Sequence, residues 1–459
     1  MANLNINFNK TVGKMKPMHA TNNGPVGKIN NMNVGWDVSD ATHDSHIIGA
    51  NIYEFAQAGI PYARTHDSSF YPSYGLEHTV DVAFIFPNFD ADPTDPQNYD
   101  FTCTDHYMNM IDAAGTKIFY RLGHRIEHEV KKYGTLPPKD FHKWAVICEH
   151  IIRHYTEGWA DGMKRDMEYW EIWNEPDLDL DDAVNKRTWG GTKAQFFEFY
   201  HIVATHLKTC FPHLKIGGPA IAGKLAWAEE FLAQLKAPLD FFSWHVYACT
   251  IEKITTRATK VRELLDKYGF TETESILNEW NYVRGWENGN IQYSYATHSR
   301  IKGASFTLAA MCACQSTPVD MLMYYDARPS TVWNGMFDLT QIEHSTLTGY
   351  YPFPMFNALY KMGNQIESVT DDANVYLCAA RGENEAAVVL THYNDDDTAE
   401  AKNITVELTG LDGRTEAEIY LLDENHRLTL TQKLTFSGDL AWEVEIPNFT
   451  CYLILLKKK

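Results

Sequence analysis

Two carboxylates in this chain stand where a paired acid and base could do chemistry. The run Glu168-Tyr-Trp-Glu-Ile-Trp-Asn-Glu-Pro-Asp177 places Glu175 directly after an apolar segment and before a proline. Tyr169, Trp170, Ile172 and Trp173 favour an extended backbone, and Pro176 disfavours helical geometry at Glu175, so this acid is expected at the carboxyl end of a strand. A second run, Ser275-Ile-Leu-Asn-Glu-Trp-Asn281, ends the same way on Glu279. Two such groups, brought together, can cleave a glycosidic bond: one protonates the departing oxygen while the other attacks the anomeric carbon or activates water. The tripeptide Asn174-Glu175-Pro176 alone is explained as well by an ordinary strand exit, and it is the second carboxylate that shifts the balance.

Bringing the two acids together is the work of the surrounding elements. Candidate strands recur at 31–35, 61–65, 117–122, 169–173, 215–218, 241–245, 275–278 and 320–325, with helical periodicity between them over segments such as 141–154, 195–207 and 253–268. Alternating units of this number predict an α/β fold, a closed parallel (β/α)8 barrel of the TIM type over 29–362, whose strand ends converge on one pocket. The Pro- and aromatic-rich stretch 84–99 is expected as a long loop over the barrel mouth. Beyond 362 the pattern changes to strands at 375–379, 386–392, 404–408, 417–422, 428–434 and 452–456, separated by turn residues, which predicts an accessory all-β sandwich over 363–459. Residues 1–28, where Leu4, Ile6 and Phe8 alternate with polar side chains, read as an edge strand and an arm that pairs with this sandwich.

The 459 residues suffice for a barrel and one accessory domain, and 40 Lys plus Arg against 60 Asp plus Glu give a net charge of −20. That charge argues against nucleic acid or an anionic membrane surface as the main partner, and a homo-oligomer is compatible with it. The eight cysteines show no zinc-like pairing apart from Cys312-Ala-Cys314, which helical spacing explains. The first residues show no basic and apolar leader, and no stretch is long and apolar enough for a bilayer, so a reduced, cytoplasmic protein without metal or organic cofactor is expected.

Several stretches from the amino terminus to the seventh candidate strand resemble one family. They are Gly13-Lys-Met-Lys-Pro-Met-His-Ala-Thr-Asn-Asn-Gly-Pro25, Ala63-Arg-Thr-His66, Pro137-Pro-Lys-Asp-Phe-His-Lys-Trp144, Trp170-Glu-Ile-Trp-Asn-Glu-Pro176, Ile216-Gly-Gly-Pro-Ala220, His245-Val-Tyr247 and Asn278-Glu-Trp-Asn281. The chain resembles the clan of barrel glycosidases with an acid/base on strand four and a nucleophile on strand seven, and within it glycoside hydrolase family 39, the family of β-xylosidases and α-L-iduronidases. The resemblance implies that Glu175 is the acid/base and Glu279 the nucleophile of a retaining double displacement, and that Asn174 bonds the sugar 2-OH. Arg64 and Tyr247 are then placed to hold Glu279, while His66, His124 and His245 stand at strand ends, with His245 foremost because family members carry His-x-Tyr there. After strand eight the chain departs from the xylosidases: Asp326, Arg328 and Trp333 stand where those carry a tryptophan and paired acids. The expected substrate is a short oligosaccharide or glycoside cleaved exo-wise, a β-D-xyloside first and an α-L-arabinoside next, with a hexoside, a uronide or endo-cleavage as alternatives.

Two rival functions come from other classes. His124-Arg-Ile-Glu-His128 matches the H-x-x-E-H pattern of zinc peptidases, which requires both histidines on one face of a continuous helix; here a strand and Gly123 precede it, which predicts a loop. A sugar-binding protein without catalysis would not need both glutamates.

Overall fold

The computed structural model describes residues 2–27, 51–69, 78–338 and 346–459. Strand β1 (Ala2–Lys14) comes first. Eight strands then close on one another in parallel: β2 (Ala20–Asn22), β3 (Tyr62–Arg64), β4 (Lys117–Leu122), β5 (Tyr169–Ile172), β6 (Lys215–Ile221), β7 (Phe241–Ala248), β8 (Glu274–Tyr282) and β9 (Met321–Tyr324). β2 pairs with both β3 and β9, which completes the ring. The helix Ile251–Lys267 shows how the helices between strands pack: it buries Ile251, Ile254, Ala258, Val261 and Leu265, the three-to-four spacing of an amphipathic helix. This is the barrel that the alternating pattern predicts.

Its first strand is placed differently from the sequence reading. Residues 31–35 lie outside the described residues, and the place between β9 and β3 is taken by Ala20–Asn22, from the segment assigned to the arm. Three residues ending in an asparagine carry no apolar run long enough to mark a strand. Asn22 is polar because it points into the barrel, where it bonds the Asn278 carbonyl (2.7 Å) and Arg64 (2.9 Å).

The lower interior of the barrel is an apolar plug of Ala20, Phe119, Tyr169, Phe241, Ile276, Met321 and Met323. Side chains of the opposite parity, such as Trp170, Ile172, Trp244 and Leu277, face the core between strands and helices.

A second sheet holds β1 with β10 (Asn364–Thr370), β11 (Val375–Arg381), β12 (Glu385–His392), β13 (Lys402–Thr409), β14 (Arg414–Leu422), β15 (Thr429–Ser437), β16 (Leu440–Ile446) and β17 (Cys451–Lys458), in the order β15-β14-β17-β12-β11-β10-β1-β13-β16. β1 runs antiparallel to β10 and parallel to β13, so it is an interior strand and not the edge strand expected from its alternation. Six strand steps separate β17 from β16, a span of roughly 29 Å in a flat sheet. Yet the rings of Tyr452 on β17 and Trp442 on β16 are 5.2 Å apart. The sheet is therefore rolled onto itself, sandwich-like, around Leu4, Ile6, Phe8, Val388, Ile404, Ile419 and Ile454.

The helix Ile301–Gln315, apolar and buried nearly all round, lies between barrel and sheet. At its amino end Lys302 reaches Asp395 (2.9 Å) and Asp397 (2.7 Å), in the turn after β12. Asp395 also accepts from the Tyr282 hydroxyl (2.6 Å), at the end of β8, and Tyr393 donates to the Cys249 carbonyl (2.6 Å), just past β7. The accessory sheet thus grips the exits of two adjacent barrel strands.

The stretch 84–99 also departs from expectation. Phe86, Phe89 and Tyr99 turn to the barrel's flank, while Phe84 lines a surface pocket with His124 and Arg125: Lys143 stands 5.6 Å over Phe89, and Tyr99 meets Phe86 at 4.7 Å and Trp159 at 5.0 Å. An apolar ring gains more from a helix surface than from a wet mouth. All eight cysteines are free, Cys312 and Cys314 within the buried helix, and among the described residues no helix is long and apolar enough to cross a membrane.

Candidate active site

Counted from β2, β5 is the fourth barrel strand and β8 the seventh, and both glutamates sit at their carboxyl ends. The exit of β5 is strained. Trp173 (φ 74°) and Glu175 (φ 48°) both occupy the left-handed region, which is unfavourable for residues with a Cβ. Four hydrogen bonds hold them there: Trp173 N to the Leu122 carbonyl (2.8 Å), Trp173 Nε1 to Thr188 (2.9 Å), Glu175 N to Ala220 (2.9 Å), and Thr188 Oγ1 to the Glu175 carbonyl (2.6 Å). Close approach of β6 depends on Gly218, where φ is 131° and a Cβ would sit 2.7 Å from the Ile172 carbonyl oxygen.

Glu279 reaches the same point through a β-bulge. Ile276 faces the plug and Leu277 the outer core, so strict alternation would turn Asn278 inward and Glu279 outward. The register slips here: Trp244 pairs with Leu277 but His245 pairs with Glu279, leaving Asn278 as the extra residue. The bulge lets both side chains point in. Asn278 Nδ2 donates to Glu171 (2.5 Å), and Glu279 accepts from the Tyr247 hydroxyl (2.5 Å) and pairs with Arg64 (3.4 Å).

Arg64, fully buried, organises the floor of the site. It donates to Glu171 (2.7 Å), Asn22 (2.9 Å) and Asn174 (2.7 Å) besides Glu279. Glu171 in turn accepts from Ser243 (2.6 Å). His245 Nδ1 lies between the two acids, 2.8 Å from Glu175 and 3.5 Å from Glu279. Nearest donor atoms of Glu175, His245 and Glu279 all fall within 4.8 Å of one another. Asn174 Nδ2 and His245 Nε2, on side chains whose other polar atoms bond Arg64 and Glu175, are buried without a hydrogen-bond partner among the described residues. A polar group left so in a closed site is where a ligand hydroxyl recovers a lost bond.

Burial raises the Glu175 carboxyl to about 7, against the pull of Arg64 and Arg187. Burial raises Glu279 too, and the charge of Glu175 adds to this, while His245, Arg64 and the Tyr247 hydroxyl pull it down. Arg64 and Tyr247 touch Glu279 directly, whereas His245, which burial drives toward its neutral form, is what bonds Glu175. The pair's negative charge is therefore best held on Glu279, with the proton on Glu175.

The other residues singled out in the sequence divide. His66 stays close, with Nε2 3.8 Å from Glu279 and Nδ1 2.8 Å from Asp67; burial lowers it to about 3. Trp333 stands 5.1 Å from the Tyr247 ring, but His298 stacks on it at 5.7 Å and Tyr295 meets it edge-on. Asp326 is fully buried and bonds Asn23 (2.9 Å) and Arg328 (2.9 Å), so it braces Arg328, which also reaches Asp67 (3.1 Å). His124 turns to Asp81 (3.6 Å), in a group with Arg121 and Arg125. The H-x-x-E-H motif lies in the loop after β4, and Glu127 accepts backbone bonds from Tyr133, Gly134 and Thr135, so it anchors that loop.

Sequence reasoning passed over Glu171, Asn22, Asp67 and Trp286. Glu171 had a signal: it shares the inward parity of Tyr169 in an otherwise apolar strand, and a charge in that position needs a buried partner. Among the described residues two groups of ligand atoms are close enough to share a metal ion, Glu175–His245–Glu279 and, on the outer helices, Glu149–His206–Cys210. In each, an arginine already supplies positive charge, Arg64 in the first and Arg153, 2.8 Å from Glu149, in the second.

A closed parallel barrel with buried carboxyl groups on its fourth and seventh strands is the frame of the barrel glycosidase clan. The family described as glycosyl hydrolases family 39 matches residues 84–432, and the chain belongs to it. It is 25% identical over 318 residues to a β-xylosidase of Geobacillus stearothermophilus, covering 60% of this chain and 60% of that protein. It is 24% identical over 336 residues to a β-xylosidase of Caldicellulosiruptor saccharolyticus, covering 69% of this chain and 65% of that one. The chain thus spans 60% and 65% of the length of these two curated relatives. The crystal structure of a glucosidase from Croceicoccus marinus is similar in fold, with a TM-score of 0.79 at 21% identity, covering 100% of this chain and 99% of that one.

Proposed function

We propose that this protein is a retaining, exo-acting glycoside hydrolase that releases a pentose, from β-D-xylosides first and α-L-arabinosides next. The observation that supports the mechanism is the closeness of its acids: His245 Nδ1 lies 2.8 Å from Glu175 and 3.5 Å from Glu279, and one carboxylate oxygen of each acid falls within 4.8 Å of one of the other. Retaining glycosidases hold their carboxyl groups about 5–5.5 Å apart, whereas inverting ones need roughly 6.5–9.5 Å to admit a water. In this reading Glu279, held ionised by Arg64 and Tyr247, attacks the anomeric carbon. As the glycosidic bond breaks, Glu175 gives its proton to the leaving oxygen. A glycosyl ester on Glu279 results. Glu175, now ionised, removes a proton from water as that water attacks the same carbon, which frees Glu279 and restores the acid. Asn174 Nδ2, fixed through its oxygen by Arg64, is placed to bond a sugar hydroxyl, an interaction that strengthens as the ring gains oxocarbenium character.

Support for a pentoside comes from the two β-xylosidase relatives. Burial of both acids, at 7% and 5% exposure, supports a pocket that takes one chain end over an open cleft. A uronide is disfavoured because Arg328 is already engaged by Asp67 and Asp326. The test is a screen of aryl glycosides with xylo- and arabino-oligosaccharides, the first-formed anomer being followed by NMR. Release of the β-anomer from β-xylosides, one sugar at a time, is expected; an inverted product overturns the role of Glu279, and turnover of hexosides alone overturns the pentoside.

A further inference from the structure

Among the described tryptophans Trp286 alone is exposed, at 62%, while Trp170, Trp244 and Trp280 are fully buried. One exposed ring is ordinary on a protein surface, and it is the position of this one that points to a role. Trp286 follows β8 by four residues (286 − 282), and its ring lies 5.3 Å from that of Tyr247, whose hydroxyl bonds Glu279, and 5.9 Å from Trp333. Trp333 is packed against His298, Tyr295, Tyr325 and Tyr247, whereas Trp286 stands on the outer side of this cluster with most of its surface open.

The short loop that carries it is anchored on both sides. Before it, Arg284 N donates to Ser294 Oγ (3.0 Å), the Arg284 guanidinium lies 4.0 Å over the Tyr293 ring, and its NH2 reaches Asp395 (3.4 Å) in the accessory sheet. After it, Ile291 N bonds the Glu287 carbonyl (3.1 Å) and Gly289 N bonds Gln292 (2.5 Å). The ring is presented from a fixed base, which reduces the ordering cost of binding.

We infer that Trp286 is the platform of a second sugar position, on the leaving-group side, which takes the pyranose ring next to the bond being cleaved. The apolar C–H face of that ring would lie on the indole while its hydroxyls stay in water, as suits a site with a buried first position and a wet second one. The inference rests on the glycosidase reading, and its test separates the two. In a Glu175→Gln background, which slows turnover by orders of magnitude, calorimetry compares xylobiose with methyl β-D-xyloside, and cellobiose with methyl β-D-glucoside, with Trp286 intact and with Trp286→Ala. The preference for a disaccharide over its methyl glycoside is expected to fall about tenfold on removal of the indole. An unchanged preference overturns the platform while leaving the glycosidase reading in place. If neither methyl glycosides nor disaccharides bind the protein with Trp286 intact, the β-xyloside reading fails and the platform with it. Matched circular dichroism and melting of the two proteins establish that the fold is retained.

Discussion

Along β5, β7 and β8 the barrel interior changes from Tyr169, Phe241 and Ile276 to Glu171, Ser243 and Asn278, two residues further on in each strand. Both layers are buried, and their inward parity is the same. In the lower one, burial of apolar surface is itself the gain. In the upper one every charge is met: Arg64 by Glu171 and Glu279, with Asn22 and Asn174 taking its remaining bonds. Buried ion pairs add little net stability against an apolar replacement, because desolvation offsets their attraction. The comparison teaches that the upper layer serves orientation, and that a substitution there should register in rate, whereas one in the plug should register in stability.

The largest effect tests the upper layer. Glu279→Gln should lower kcat/KM on the order of 10⁴-fold or more, while the melting temperature at neutral pH holds or rises, because a buried carboxylate is removed. A large fall in melting temperature would mean that this acid is structural. Glu175→Gln should lower kcat about 10²–10⁴-fold on substrates with poor leaving groups, and azide should restore part of the rate with Glu175→Ala by completing deglycosylation.

The same acid gives a pH signature. Its folded value of about 7 lies above the ordinary 4.5. Stability from the protonated form is thus full below about 4.5 and lost as the pH rises through about 7. Glu175→Gln cannot ionise, so its melting temperature relative to wild type should climb between pH 5 and pH 8. The basic limb of kcat/KM in the wild type should have its midpoint near 7, since the acid must be protonated. A rate that is flat through that range would exclude Glu175 as the donor.

For the plug, Phe241→Ala should destabilise by about 3–5 kcal/mol in urea unfolding, with kcat per folded molecule little changed. The smallest effect is expected at the grip between domains. Asp395→Asn, weakening bonds to Tyr282, Arg284 and Lys302, should lower stability by about 1 kcal/mol. A fall in kcat without a matching change in KM would show that the grip also aligns the end of β8.

Much of this difference between layers is legible in the sequence. Seven of the barrel strands show as apolar runs, and Glu175 and Glu279 stand out because a carboxylate ends each of two such runs. Arg64, His245 and Tyr247 were found at strand ends and do converge on the pair. What escaped has a physical reason in each case. Ala20–Asn22 is too short and polar to show a period. Glu279 points inward only because of a bulge that propensity does not encode. β10, Asn-Gln-Ile-Glu-Ser-Val-Thr, buries little but Ile366, so its identity depends on partners distant in sequence. β16 did carry a signal, since Leu440, Trp442, Val444 and Ile446 alternate with Ala441, Glu443 and Glu445. Trp286 was hidden among many tryptophans, because exposure is a property of the folded surface.

The interior position of β1 in the rolled sheet bears on how the molecule is made. Lys14 pairs with Asn364, 350 residues later (364 − 14). At about 5–20 residues per second, a ribosome takes roughly 20–70 s to bring the partner of β1 into being. Throughout that interval successive βα units of the barrel can form on local contacts, while Leu4, Ile6 and Phe8 wait with two bare hydrogen-bonding edges. Chaperone capture of the nascent chain is therefore expected to fall on this first strand, and to end only when β10 and β13 have left the exit tunnel.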